Sequence, residues 1–308
     1  MERPSLRQLE CVVALAEHLS FRRAAEACGI SQPALSLQLQ QLETQLGKRL
    51  FERDRRRVLP TRAGLELAER ARAALLAIDG FVETARSLDD PLAGTLHLGV
   101  IPTIAPYVLP SLMAPWRKRF PRLRLFLRED TTANLVERVQ AGKLELALLA
   151  LEADLGSLAT RALYADPFVL AVPNGHELAN KKSARAEDLR EEDVLLLEEG
   201  HCLREQALSI CRRAGAHELG DFRATSLNTL VRMVASGAGV TLLPALALAS
   251  EVRTGDRIVT LPLERRPSRT IALAWRPTST RSALIDALAD ALIESAPRGT
   301  VPLPRSKR

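Results

Sequence analysis

The most chemically loaded stretch of the chain is Glu198-Glu199-Gly200-His201-Cys202-Leu203-Arg204-Glu205-Gln206-Ala207-Leu208-Ser209-Ile210-Cys211. A thiolate is the reactive form of cysteine, and a helix N-terminus, with its unsatisfied N–H groups and dipole, favours it. Gly200 breaks the apolar run before it, and a helix is predicted from Leu203 to Ala214. Cys202 therefore falls at the helix N-terminus, with His201 and Arg204 close by in sequence. A thiolate so placed could attack hydrogen peroxide and become a sulfenic acid. Cys211 follows nine residues later. In an intact helix that is about 13.5 Å of rise and about half a turn of offset, whereas a disulfide tolerates about 7 Å between Cα atoms. A bond between the two would have to unwind the segment. Spacing alone leaves two readings open, a redox switch with a large structural readout or two unrelated thiols, one of them buried.

The elements that would position these groups belong to a chain of 308 residues, enough for two or more domains, with 46% apolar and 26% charged residues. The 4 cysteines, the other two being Cys11 and Cys28, form no CxxC pair, and no His cluster has zinc spacing. A disulfide-stapled scaffold is excluded and neither metal nor cofactor is expected. Met1-Glu2-Arg3-Pro4 leads into an amphipathic segment instead of the apolar core of a signal peptide, which predicts a cytoplasmic protein. Residues 91–116 and 233–250 carry no Asp, Glu, Lys or Arg, but their Pro and Gly content argues for buried strand-turn-helix units and against membrane spans.

Charge is concentrated at the ends. Residues 1–65 hold 11 Lys or Arg against 7 Asp or Glu, and the tail from Arg298 adds Arg305, Lys307 and Arg308 without an acid. A localised basic module is the footprint of nucleic-acid binding, although a solvated surface has the same composition. The first helix is predicted from a Ser5 cap with Leu6, Leu9, Val13 and Ala16 on one face, and the second follows Ser20 and stops at Gly29. The third starts after Ser31, with Pro33 in its first turn and Leu35, Leu39, Leu42 and Leu46 forming one buried stripe. Gln32, Ser36, Gln38, Gln40 and Gln41 are left on its other faces, polar groups able to meet base edges from a recognition helix. Leu50 to Arg53 and Arg55 to Leu59 read as a hairpin wing. A small helical bundle without a ligand is the alternative.

From Thr61 to Leu88 one long helix is predicted, with Ala68, Ala71, Leu75, Ile78, Val82 and Ala85 spaced as a coiled-coil seam. Packing against the chain's own core would use the same pattern. Beyond Gly94 short apolar runs alternate with helical stretches, the pattern of an α/β fold with largely parallel sheets. The runs are Thr95–Val100, Leu123–Leu127, Leu144–Leu149, Phe168–Val172, Val194–Leu197, Val240–Leu243 and Ile271–Trp275. Thr103 and Thr132 stand at strand-to-helix junctions, where a ligand contact and a simple helix cap are both possible. Cys11 and Cys28 are read as core residues.

The run LRQLECVVALAEHLSFRRAAEACGISQPALSLQLQQLETQLGKRLFERDRRRVLPTRAG, with AAEACGISQPALS as its specific part, resembles the winged helix-turn-helix of LysR-type transcriptional regulators. LEEGHCLREQALSICRRAG, FRATSLNTLVRMVASGAGVTLLPALAL, RTIALAWRP and GVIPTIAPYVLPSLMAP resemble the peroxide-sensing members of that family, and the resemblance spans residues 5 to about 295. It implies an all-α winged helix-turn-helix over 1–60, a linker and dimerisation helix over 61–90, and an α/β regulatory domain over 91–297. That domain would have two Rossmann-like subdomains, as in periplasmic binding proteins. Subdomain I would be 91–164 plus 270–297 and subdomain II 165–269, followed by a disordered basic tail over 298–308.

The same resemblance makes Cys202 the peroxidatic and Cys211 the resolving cysteine of a reversible disulfide. It puts Thr103, Thr132 and His201, with Gln206 and Arg269, around the peroxide, and Ser31, Gln32, Pro33, Ser36 and Arg53 at or near DNA. Leu37 departs from the pattern, standing where many members carry a polar residue. The implied partners are a pseudo-palindromic double-stranded DNA operator, further copies of the chain as a dimer and then a tetramer, RNA polymerase, and a thiol reductant. The implied place is the nucleoid. A LysR-type regulator answering to a small organic effector and a thiol peroxidase are the rival readings.

Overall fold

The computed structural model describes residues 3–53, 58–87, 90–190, 192–253 and 255–303. The chain divides into two compact units, residues 1–88 and 89–308.

In the first unit, helix α1 (Leu6–His18) opens with a capping box in which Ser5 Oγ accepts the Gln8 N–H and Gln8 Oε1 accepts the Ser5 N–H. Helix α2 (Phe21–Cys28) is capped by Ser20 and stops at Gly29, whose φ of 64° suits a residue without Cβ. Helix α3 (Gln32–Leu46) is capped by Ser31, and its Leu35, Leu39 and Leu42 enter a core with Cys11, Val12, Leu15, Ala24 and Ala25. The wing adds an antiparallel hairpin of β1 (Phe51–Arg53) and β2 (Val58–Pro60). Glu43 ties it to α3 by accepting the Leu50 and Phe51 N–H groups at 2.7 and 3.2 Å. The predicted wing residues Arg55, Arg56 and Arg57 lie outside the described residues.

Helix α4 (Arg62–Ser87) is the predicted long helix. It approaches the start of the wing so closely that a Cβ on Gly64 would sit 2.0 Å from the Leu50 carbonyl oxygen. The predicted seam needs correction at its start. Ala68 packs in this unit's own core and Ala71 is buried as well, so neither is free for a second copy. Farther along, Leu75 and Ile78 are half-buried, Val82 is exposed, and Phe81 is 76% exposed. The Ala85 side chain lies outside the described residues.

In the second unit, β3 (Gly94–Val100), α5 (Ala105–Arg119), β4 (Leu123–Glu129), α6 (Thr132–Gln140) and β5 (Leu146–Ala150) alternate, with β3 pairing parallel to both β4 and β5. The long strand β6 (Ala159–Pro173) then leads to β7 (Asp193–Leu197), α7 (Cys202–Ala214), β8 (His217–Ala224), α8 (Leu227–Ala235), β9 (Thr241–Pro244), α9 (Ala245–Glu251) and β10 (Ile258–Pro262). The chain returns through β11 (Ser268–Trp275), α10 (Ser282–Glu294) and β12 (Val301–Pro302). Residues 159–167 of β6 pair with β11, and residues 168–173 pair with β9 and β10.

These pairings correct the expectation of largely parallel sheets. β3 with its neighbours and β7 with β8 are parallel, but every pairing of β6 and β11 is antiparallel. The reason is topological, since one strand carries the chain out of the first half and the other brings it back. The tail is corrected too. Val301 and Pro302 pair with Ala165 and Tyr164 on the side of β6 away from β11, an edge position where proline's missing N–H costs no ladder bond. Residues 304–308 lie outside the described residues. Among the described residues no helix is long and apolar enough to cross a membrane, and no group of three or more His, Cys, Asp or Glu could hold a metal ion.

Candidate functional site

Three junctions meet at one point of the second unit. The turn after β3 brings Ile101, Pro102 and Thr103, the turn after β4 brings Thr131 and Thr132, and the loop after β7 brings Gly200, His201 and Cys202. All three lie at carboxyl ends of strands, where α/β sheets place their ligands. Together they line a narrow recess whose walls, as they stand, leave no room for a water-sized guest. Gly200, with φ 95°, lets the loop turn here, and a Cβ on it would lie 3.7 Å from the Thr131 methyl.

Cys202 is the first residue of α7 and half-buried, and His201 is the cap residue, with no side-chain cap bond. The His201 ring is 9% exposed and its Nε2 lies 4.0 Å from Glu198 Oε1. Thr103 is buried and held from behind. Arg269 Nη1 donates to its Oγ1 at 2.8 Å and Nη2 to its carbonyl oxygen at 3.0 Å. With that oxygen already accepting from a cation, the Thr103 hydroxyl proton is available for donation elsewhere. Thr132 differs. Its hydroxyl is buried and has no hydrogen-bond partner among the described residues, a costly state for a group facing a recess unless a guest satisfies it.

Arg269 does not line the recess. It is 0% exposed, and its Nε pairs at 2.9 Å with Asp166, also 0% exposed. Asp166 Oδ1 in turn accepts the Leu246 N–H at 3.0 Å. Burial pushes the Asp166 carboxyl up while the Arg269 guanidinium pulls it down. The pair sits at the register Arg269↔Asp166 of the antiparallel β6–β11 ladder, so Thr103 is fixed from the sheet. Gln206, one turn beyond Cys202, also stays outside the recess. Its Nε2 is 3.5 Å from Glu152, and its Oε1 is buried without a partner among the described residues. Arg204 turns inward and donates to the Leu197 carbonyl.

Asp166 is the residue that the sequence reading missed. Its signal is a lone carboxylate within the apolar run ALYADPFVLAV, which demands a buried cation, and Arg269 opens a similar run, RTIALAW.

Cys211 is 3% exposed and belongs to the same unbroken helix as Cys202, and neither thiol is in a disulfide. Nine helical residues keep the two about 13.5 Å apart along the axis and on opposite faces. The carbonyl of Cys211 and that of Arg212 accept the N–H of Gly215, which ends α7 with φ 73°.

In the first unit, Ser31, Gln32 and Pro33 are exposed at the start of α3, Ser36 is half-buried, and Leu37 is 53% exposed. Ser31 Oγ is spent on capping, accepting the Ala34 N–H at 3.3 Å. Arg53 ends β1 opposite Val58, and its side chain lies outside the described residues.

Comparison with known proteins matches residues 6–65 to the bacterial regulatory helix-turn-helix proteins of the lysR family and residues 89–297 to the LysR substrate binding domain. The chain is 44% identical over 289 residues to the DNA-binding transcriptional dual regulator OxyR of Escherichia coli strain K12, covering 94% of each. Among solved structures, a full-length cysteine-to-aspartate variant of Pseudomonas aeruginosa OxyR superposes with a TM-score of 0.78 at 34% identity, over 94% of this chain and 98% of that one. A cysteine-to-serine mutant of Corynebacterium glutamicum OxyR with hydrogen peroxide bound has a TM-score of 0.65 at 34% identity, over 96% and 93%. The chain therefore belongs to the LysR family of transcriptional regulators, within its OxyR branch of hydrogen peroxide-inducible genes activators.

Proposed function

We propose that the protein is a DNA-binding regulator that senses hydrogen peroxide through Cys202 and stores the signal as a reversible Cys202 to Cys211 disulfide. The observation that carries this reading is the half-buried Cys202 at a helix N-terminus beside a small recess with a buried, unpartnered Thr132 hydroxyl. The Cys202 thiolate attacks one peroxide oxygen, the O–O bond breaks, and hydroxide leaves with a proton supplied by the hydroxyls of Thr103 and Thr132 or by His201. The resulting sulfenic acid is attacked by the Cys211 thiol, which forms the S–S bond and releases water. Two thiols are oxidised and one peroxide becomes two waters. Arg269 acts through Thr103 by fixing its hydroxyl, and Gln206 steadies the first turns of α7.

Bridging requires α7 to open, and that change re-aims the paired DNA-binding modules and activates oxidative-stress genes. Ser31, Gln32, Pro33, Ser36 and Arg53 meet a pseudo-palindromic operator. The exposed end of α4 pairs two copies, two such pairs make a tetramer, RNA polymerase is recruited, and a cellular thiol system resets the bridge. The protein works at the nucleoid in the cytoplasm. The division follows function, with DNA binding in 1–60, pairing in 61–90, and sensing between subdomain I (91–164, 270–297) and subdomain II (165–269). The test is Cys202→Ser, followed by operator footprinting with and without peroxide. The expected result is a footprint that no longer changes with peroxide while DNA binding persists, and an undiminished peroxide response would refute the assignment.

A further inference from the structure

Three leucines of α3, Leu35, Leu39 and Leu42, are 0–2% exposed in the core of the first unit, whereas Leu37 is 53% exposed. At about 100° per residue its side chain leaves the helix almost opposite that buried stripe, on the face shared by Pro33, Gln40, Gln41 and Thr44. Leu37, Gln40, Gln41, Thr44 and Gln45 line an open trough together with Gln8 of α1. Leu37 is the one apolar side chain among these described lining residues, and none of them is charged. The exposed cations Arg22 and Arg23 at the start of α2, and Lys48 and Arg49 after α3, stand on other elements.

We propose that Leu37 determines base specificity by packing on the C5 methyl group of a thymine in the major groove. The inference rests on the reading of α3 as the helix that enters DNA. Phosphates call for charge, which the described lining of the trough lacks, whereas base edges offer hydrogen-bond donors and acceptors and, at thymine alone, a methyl group. An exposed leucine among amides suits that last feature, since it gains by leaving water and has no hydrogen bond to lose. Gln40 and Gln41, three and four residues on, are its neighbours on the helix surface, and their amides suit the edges of adjacent base pairs. Thr44 has already spent its hydroxyl proton on the Gln40 carbonyl at 2.8 Å.

A contact of this kind discriminates by degree. Only dispersion and desolvation are at stake, so a base without the methyl is disfavoured mildly, in contrast to the sharp rejection produced by an unpaired hydrogen bond. The side chain is also dispensable for the fold, because α3 is held by Leu35, Leu39 and Leu42 on its other side.

The experiment uses the full-length protein and a pool of random-sequence duplexes, from which bound DNA is selected and sequenced. The enriched site is resynthesised with its thymines replaced one at a time by deoxyuridine, which lacks only the C5 methyl, and binding is followed by fluorescence anisotropy. At one thymine in each half-site the replacement is expected to weaken binding roughly fourfold, the effect of one methyl-sized group returning to water. In Leu37→Ala the thymine site is expected to bind more weakly than in wild type, and the same replacement is expected to make no further difference, with thermal melting showing the fold intact. A wild type insensitive to every replacement would overturn the proposal. So would a sensitivity that survives in Leu37→Ala, or a Leu37→Ala protein that binds the thymine site as tightly as wild type. Failure of the pool to enrich any sequence would instead overturn the reading of α3 as a DNA-reading helix, and this inference with it.

Discussion

The two cysteine pairs of this chain are opposite solutions to the placement of two sulfurs. In the DNA-binding module, Cys11 and Cys28 belong to one core, and burial pushes both thiols up. In the regulatory domain, Cys202 stands beside a recess at the head of α7, while Cys211 is on the far face of the same helix. The first pair stands on two different helices. Joining the second must break hydrogen bonds along α7, whose Leu203, Ala207, Leu208 and Ile210 are buried in the core. A bond that cannot form without remodelling carries information.

That contrast is sharpest in backbone protection. In peroxide-treated protein, amide hydrogen exchange across residues 203–214 is expected to accelerate to the level of an opened segment, while residues 6–28 keep their protection. Equal behaviour of the two regions would break the comparison.

The next effect in size concerns the ion pair behind the recess. Replacing Arg269 by Met strands the buried Asp166 carboxylate, and a loss of about 3–5 kcal/mol is expected in urea unfolding of the regulatory unit. No equivalent buried ion pair has both partners at 0% exposure among the described residues of the DNA-binding module, so its unfolding should be unchanged.

A smaller effect is expected at Thr132. Replacing its buried, unpartnered hydroxyl by a methyl in Thr132→Val should stabilise the fold by about 1 kcal/mol. The same change should slow the oxidation of Cys202, followed by quenched alkylation. A stabilised variant that oxidises at the wild-type rate would make Thr132 a packing residue only.

The smallest change bears on the cost of opening α7. Ser209 is exposed in its middle, and Ser209→Ala raises helix propensity by about 0.5 kcal/mol. The thiol-disulfide equilibrium of Cys202 and Cys211 in a redox buffer should move roughly twofold toward the thiols.

Much of this architecture is legible in the chain because it is local. Ser5, Ser20 and Ser31 act as the caps their position predicts, and Gly29 and Gly47 stop their helices with positive φ. The Leu35, Leu39 and Leu42 stripe is buried, and the helix behind Cys202 has the length expected from its pattern. The misses are long-range. Ala68 and Ala71 have the spacing of a seam but spend it on their own unit, because small residues serve any close helix contact. The antiparallel β6 and β11 and the β12 strand of the tail depend on partners more than a hundred residues away, which a period-two pattern cannot identify.

The sequence by itself determined where the thiols stand in their helices, which helices carry polar faces, and how far Cys202 is from Cys211 along a helix. These follow from side-chain periodicity and capping, which act over a few residues. Only the tertiary structure decided that Thr103, Thr132 and Cys202 meet at one recess, and that Arg269, paired with Asp166, holds Thr103 there. Those meetings depend on which buried surfaces find each other once the backbone is closed, and no local preference encodes them.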